Sequence, residues 1–211
     1  MRFVLLGVVF SLLFLAACSA KQEEIVLPIM LVVDEEFSNQ YSKEDGGLLI
    51  ESVSSFYRQE FGIGFVVEKT IMDWNSPELE PLPEGVYEFS GTQWLLDNAA
   101  YDIPTNGIIV VVLTATNLER RNPGMSLVTE RRGFPEYYVL VWYDSENPRN
   151  ALIHEIAHLF GAKHLIEEWG QDYAEKHNSV MSPHQVFETD EFDPKNRAII
   201  VQNTVALPKL P

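Results

Sequence analysis

All five histidines of the chain fall between positions 154 and 184, and three lie in His154-Glu155-Ile156-Ala157-His158-Leu159-Phe160-Gly161-Ala162-Lys163-His164. On an α-helix, positions four apart are offset by about 40° around the axis and about 6 Å along it, so His154 and His158 project from one face. Two imidazoles placed this way can share a Zn2+ ion at Zn–N distances of about 2.0–2.1 Å. Glu155 stands about 100° round from His154, beside such an ion rather than on it. A third imidazole from the same straight helix fails, because His164 would lie about 9 Å beyond His158. The chain must turn, and Gly161 allows it, since a glycine just past a helix end adopts the left-handed conformation without steric penalty. Three neutral histidines leave a fourth zinc position to water, whose pKa the ion lowers to about 7.

That geometry needs a helix under the first two histidines and a scaffold to seat it. Asn147-Pro148 offers an N-cap followed by proline at the first helical position, so the helix is expected from there to Gly161, with Ala151, Leu152, Ile156 and Leu159 inward. Upstream, Ile25–Val33 is β-rich and apolar and reads as a buried strand ending at Asp34-Glu35-Glu36. From Ser42 to Phe61, Leu48, Leu49, Val53, Phe56, Tyr57 and Phe61 recur at three- and four-residue steps, which predicts an amphipathic helix stopped by Gly62. Gly64–Trp74 reads as a second strand and Asn75–Gly85 as a loop. Ser90–Ala100 reads as a second helix capped by Ser90. Asn106–Thr116 is the most apolar strand and is expected at the centre, and Tyr137–Asp144 makes another. Strands alternating with helices imply an α/β sheet.

The pattern HExxHxxGxxH at 154–164, with Met181 in Asn178-Ser179-Val180-Met181-Ser182-Pro183, resembles the metzincin zinc endopeptidases. The run SVMSP resembles the Met-turn of the adamalysin and matrixin branches. The resemblance implies Zn2+ on His154, His158 and His164, and a tight turn whose Met181 underlies the imidazoles without binding the ion. It also implies a zincin-like α+β fold: a mostly parallel twisted sheet with an antiparallel edge strand, the active-site helix, and a small C-terminal subdomain after the third histidine. The corresponding division is a single catalytic domain over 25–211, with an upper part 25–161 and a lower part 162–211. Leu165 departs from the residue that each of these branches and the astacins place after the third histidine, and Pro183 stands where astacins have a tyrosine. The chain has no cysteine for a matrixin-like latency switch.

Within this resemblance Glu155 takes a proton from water and returns it to the leaving amine of a peptide bond. A peptide or protein substrate is expected to lie antiparallel to an edge strand near Met125–Thr129, with Ser182–Phe187 walling the primed side. Arg120-Arg121 and Arg131-Arg132 bracket that strand. They either select acidic substrates or form solvated loops that discourage edge pairing. His177 and His184 are left over, each an oxyanion donor or a surface imidazole. Two competing readings stay open: a zinc-binding envelope lipoprotein that has lost turnover, and a structural surface antigen without metal.

Acidic residues number 31 against 15 Lys and Arg, a net charge of −16, which argues against nucleic-acid binding and against attachment to anionic lipid through a basic face. With 46% apolar and 22% charged residues, the composition is that of a packed globule rather than a disordered chain. The N-terminus carries Arg2 and then an apolar run, Phe3–Ala17, too short to span a bilayer, and reads as a signal peptide over 1–17. Leu15-Ala16-Ala17-Cys18 resembles the bacterial lipobox, in which the cysteine becomes the lipid-modified first residue. Residues 18–24 then form a tether too short for a folded propeptide, so an enzyme active as exported is expected. This implies a lipid-anchored cell-envelope protein, at the outer membrane in a Gram-negative cell because Ser19 is not Asp. Cleavage after Ala20 and secretion is the alternative. Membrane contact is expected only through the lipid, and the protein is expected to be a monomer.

Overall fold

The computed structural model describes residues 24–75, 89–103, 108–115, 123–131, 134–182 and 188–206. Strand β1 (Ile25–Asp34) leads through helix α1 (Glu35–Gln40) into α2 (Lys43–Phe61), followed by β2 (Ile63–Trp74) and α3 (Phe89–Asp102). Then come β3 (Ile109–Thr114), β4 (Gly124–Arg131), β5 (Phe134–Trp142) and α4 (Pro148–Leu159). Two short helices, α5 (Leu165–Trp169) and α6 (Gln171–Ala174), precede α7 (Pro194–Ala206). The five strands form one sheet in the order β2-β1-β3-β5-β4. Strands β2, β1, β3 and β5 are mutually parallel, and β4 pairs antiparallel with β5 from Gly124↔Val141 to Arg131↔Phe134. The α/β class, the central apolar strand and the antiparallel edge strand are as expected.

Alternation along the central strands explains the layering, because successive side chains leave opposite faces of a strand. Ile29, Leu31 and Val33 of β1, Ile109, Val111 and Leu113 of β3, and Val139 and Val141 of β5 join α2 and α4 in one core. Met30 and Val32, Val110 and Val112, and Tyr138 and Leu140 face the other way, onto α3. Both faces are covered, so the central strands are continuously apolar rather than alternating with polar residues.

Several boundaries differ from the sequence reading. Ser42 is the cap of α2 rather than its first residue: its Oγ accepts from Asp45 N at 3.2 Å while Asp45 Oδ2 accepts from Ser42 N at 2.8 Å. Ser90 lies inside α3, which begins at Phe89, so it is not that helix's cap. The expected strand over 106–116 is shorter, at Ile109–Thr114, and the one over 137–144 starts earlier, at Phe134, and stops at Trp142. Helix α1 was not anticipated. Asp34 starts it by accepting from Phe37 N at 2.8 Å, a turn signal that reads equally as a strand end. Helices α5, α6 and α7 also escaped the sequence reading. Among the described residues no helix is long and apolar enough to cross a membrane. The leader, Cys18 and all but the first residue of the expected loop Asn75–Gly85 lie outside the described residues.

Candidate metal centre

Helix α4 begins as its sequence dictates. Asn147 caps it by accepting from Asn150 N at 3.1 Å, and Pro148 occupies the first turn, where its missing N–H costs nothing. The expected inward face holds for Ala151, Leu152 and Ile156, but burial continues all round from Asn150 to Ala157, while Leu159 is only half-buried. The helix is wrapped by the sheet, α2 and the C-terminal segments, so an amphipathic pattern underestimates its burial. Tyr57 of α2 fastens it by donating from its hydroxyl to Ile153 O at 2.8 Å.

The helix stops where the third histidine requires. Gly161 has φ +86°, Gly161 N donates to His158 O at 2.9 Å, and Ala162 N donates to Ala157 O at 3.1 Å. The reversal brings three imidazoles together. The Nε2 atoms of His154, His158 and His164 form a triangle with sides of 3.0, 3.1 and 3.1 Å. Each Nδ1 faces an oxygen acceptor: Val180 O at 2.7 Å for His154, Ala162 O at 2.9 Å for His158, and Glu167 Oε2 at 3.2 Å for His164. Carbonyl and carboxylate oxygens accept, so each Nδ1 carries the proton and each Nε2 presents its lone pair inward. Three converging lone pairs repel one another unless a cation lies between them. Tetrahedral zinc at about 2.0–2.1 Å would set nitrogens about 3.3–3.4 Å apart, within a few tenths of an ångström of these sides. The three histidines can hold a metal ion.

Burial enforces the same protonation. It pushes His154 down to about 3, helped by the neighbouring His158, and His158 down to about 4. Both rings are therefore neutral at physiological pH. Burial pushes the Glu155 carboxyl up to about 8, opposed by a hydrogen bond from Ser126 of β4. A dication held by the histidines would draw it back toward its ionised form.

The segment after Gly161 is set by α7. Asn196 clamps Lys163, the residue before His164: its Oδ1 accepts from Lys163 N at 2.7 Å and its Nδ2 donates to Lys163 O at 2.9 Å. Asn203, seven residues on, donates to Phe160 O at 2.7 Å. Asp193 starts α7 by accepting from Lys195 N and Asn196 N, each at 3.1 Å, and also accepts from Ser179 Oγ and Tyr173 Oη, each at 3.0 Å. Ser179 Oγ in turn accepts from Met181 N at 3.2 Å. Met181 is fully buried, in the turn whose Val180 carbonyl meets His154 and whose own carbonyl accepts from Leu165 N at 3.4 Å.

The sequence reading assembled the three histidines and Glu155 but missed Ser126, Glu167, Asn196 and Asp193. Faint signals existed: His-x-x-Glu at 164–167, Asp193-Pro194 as a helix start, and asparagines at 196 and 203, two turns apart on one helix face. His177 is not in the cluster. Its ring lies 4.2 Å from that of Tyr173 and the residue is half-buried. His184, most of the expected primed-side wall, Arg120, Arg121 and Arg132 lie outside the described residues.

The chain matches no protein-family model and no curated protein. Among solved structures it is similar to metalloproteinase-II from Bacteroides fragilis, with 14% sequence identity and a TM-score of 0.48, over 85% of this chain and 53% of that one. The chain thus spans about half the length of that protein.

Proposed function

We propose that this chain is a zinc-dependent endopeptidase of the metzincin kind, with His154, His158 and His164 as metal ligands and Glu155 as the proton-transferring group. The observation that carries the reading is the Nε2 triangle with every Nδ1 anchored, beside a buried carboxylate from the same helix. When bound, zinc supplies Lewis acidity, polarising a carbonyl and acidifying water. The Val180, Ala162 and Glu167 oxygens fix the ring planes and raise the basicity of the ligating nitrogens. Glu155 accepts the proton of attacking water and returns it to the leaving amine, a task for a base whose pKa lies near the working pH. The peptide lies extended along β4, the antiparallel edge strand, by strand addition.

The leader and Cys18 support a lipid-anchored envelope location, and the net charge of −16 argues against nucleic acid as partner of a monomeric enzyme. The catalytic unit comprises 25–211, with the boundary between its upper and lower parts at Gly161. The decisive experiment profiles cleavage of a peptide library by zinc-loaded wild type and Glu155→Ala in parallel. Cleavage by the first alone is expected. A zinc-loaded wild type that cleaves nothing would indicate the silent zinc-binding lipoprotein instead. Detergent-dependent release of the protein from membranes tests the anchor, and a soluble form beginning at Lys21 would replace it with secretion.

A further inference from the structure

Glu155 belongs to α4, yet its carboxylate is bounded by the neighbouring strand. Gly124, the first residue of β4, is buried against it. A Cβ at position 124 would stand 2.9 Å from Glu155 Cγ, 3.4 Å from its Oε1 and 2.8 Å from the carbonyl oxygen of Leu140. Glycine is not needed there for the backbone, because the positive-φ glycines among the described residues are Gly62, Gly161 and Gly170. A glycine in a strand interior weakens the strand, and one without a conformational reason marks a place where another group comes close. The close groups here are the Glu155 side chain and, across the strand pair, the Leu140 carbonyl. Two residues on, and on the same face of the strand, stands Ser126, whose hydroxyl favours the ionised Glu155 carboxyl against the burial that raises it. Met125 and Leu127, on the opposite face, pack toward α3.

We propose that β4 positions the Glu155 carboxylate: Gly124 leaves the volume that the side chain fills, and Ser126 donates the hydrogen bond that aims it. Both are positioning residues, and the inference deepens the peptidase reading by resting on Glu155 as its proton-transferring group. Glutamate has three side-chain torsions, and burial alone does not choose among their combinations. A wall on one side and a donor on the other do. The strand that offers its edge to a peptide thereby also holds the base, so substrate pairing and base alignment are mechanically joined.

The test uses the full chain in two formats. In the metal-free protein, thermal unfolding is compared for Gly124→Ala and Ser126→Ala, each in the wild-type and the Glu155→Ala background. Each is expected to lower Tm clearly when Glu155 is present and less when it is truncated. For Gly124→Ala a residual loss should persist from the Leu140 carbonyl. Equal losses in both backgrounds for both substitutions overturn the proposal. Should Gly124→Ala fail to fold in either background, the Ser126 cycle decides. In the zinc-loaded protein, Ser126→Ala is expected to lower kcat on casein roughly ten-fold or more, with KM and zinc content near wild type, and Ser126→Thr to recover most of it. A fall carried by KM, or a threonine variant no better than alanine, overturns the Ser126 assignment. A wild type that cleaves no casein defeats the peptidase reading but leaves the unfolding cycles able to support or overturn the positioning.

Discussion

His154 and His158 ride on a helix whose residues Asn150 to Ala157 are all buried, whereas His164 rides on an irregular segment held by a few side chains. On α4 the imidazoles inherit their positions from apolar contact with the sheet and α2, spread over many residues. After Gly161, Asn196 holds Lys163, Asp193 and Ser179 hold the Met181 turn, and Glu167 orients His164. Packing is redundant, because losing one methyl group leaves the others in place. A hydrogen-bonded clamp is not, because removing one partner strands the rest in a buried setting. The two regions should therefore fail in different ways when altered.

The largest effect should come from the packed region, and through chemistry rather than structure. Glu155→Gln keeps the shape of the side chain and is expected to lower turnover by about 10²–10⁴-fold. Zinc content by elemental analysis should stay at one per chain. Next come the proposed ligands. His158→Ala and His164→Ala should both cut zinc affinity by more than the roughly 10–100-fold typical of an outer partner, measured by chelator competition. Full zinc occupancy in His164→Ala would show that the irregular segment supplies no ligand, and the comparison would collapse.

A smaller pair of effects separates the two regions directly. Leu152→Ala should cost about 2–5 kcal/mol of stability while barely changing zinc affinity once the protein is folded. Asn196→Ala should cost less, about 1–3 kcal/mol, yet lower zinc affinity about 10–100-fold by releasing the backbone before His164. Denaturant unfolding and chelator competition on both variants read the contrast, which fails if both track stability alone.

The smallest effect is in pH. In the metal-free protein, His154 and His158 titrate at about 3 and about 4 when folded, against an ordinary value of 6.5, so the unfolded chain binds more protons between these limits. Their contribution to stability is present above 6.5 and is lost as pH falls toward 3 to 4. Glu155 works oppositely: raised from 4.5 to about 8, its contribution is present below 4.5 and is lost as pH rises through 8. Stability should decline between pH 6.5 and 8 in wild type, and Glu155→Gln should flatten that limb in urea titrations at fixed ionic strength.

How much of this was legible in the sequence follows from the range of each interaction. The spacing of His154 and His158, the cap at Asn147-Pro148 and the stop at Gly161 are local, fixed by the helical repeat and by backbone sterics, and the structure reproduces them. The apolar run through Ile109–Thr114 placed β3 at the centre, because a strand covered on both faces has no position for a polar residue to meet water. Ser90 misled because serine favours helix starts only on average and the neighbouring Phe89 already lies within α3. Helix α7 was missed although Asp193-Pro194 marks its start, because its apolar run Ile199-Ile200-Val201 is consecutive rather than spaced along one face and its inward face includes the polar Asn196 and Asn203.

The sequence by itself determined which groups meet at the candidate metal centre, since a helix of known pitch followed by a glycine reversal leaves the three imidazoles little choice. Only the tertiary structure decided how they are held. Asn196 reaches Lys163 across 33 residues, Val180 O meets His154 across 26, and β4 comes to Glu155 from beyond another strand of the sheet. No local pattern encodes such pairings. Each depends on where separate elements come to rest once apolar burial has packed them, and a polar side chain shows its partner only when both have arrived.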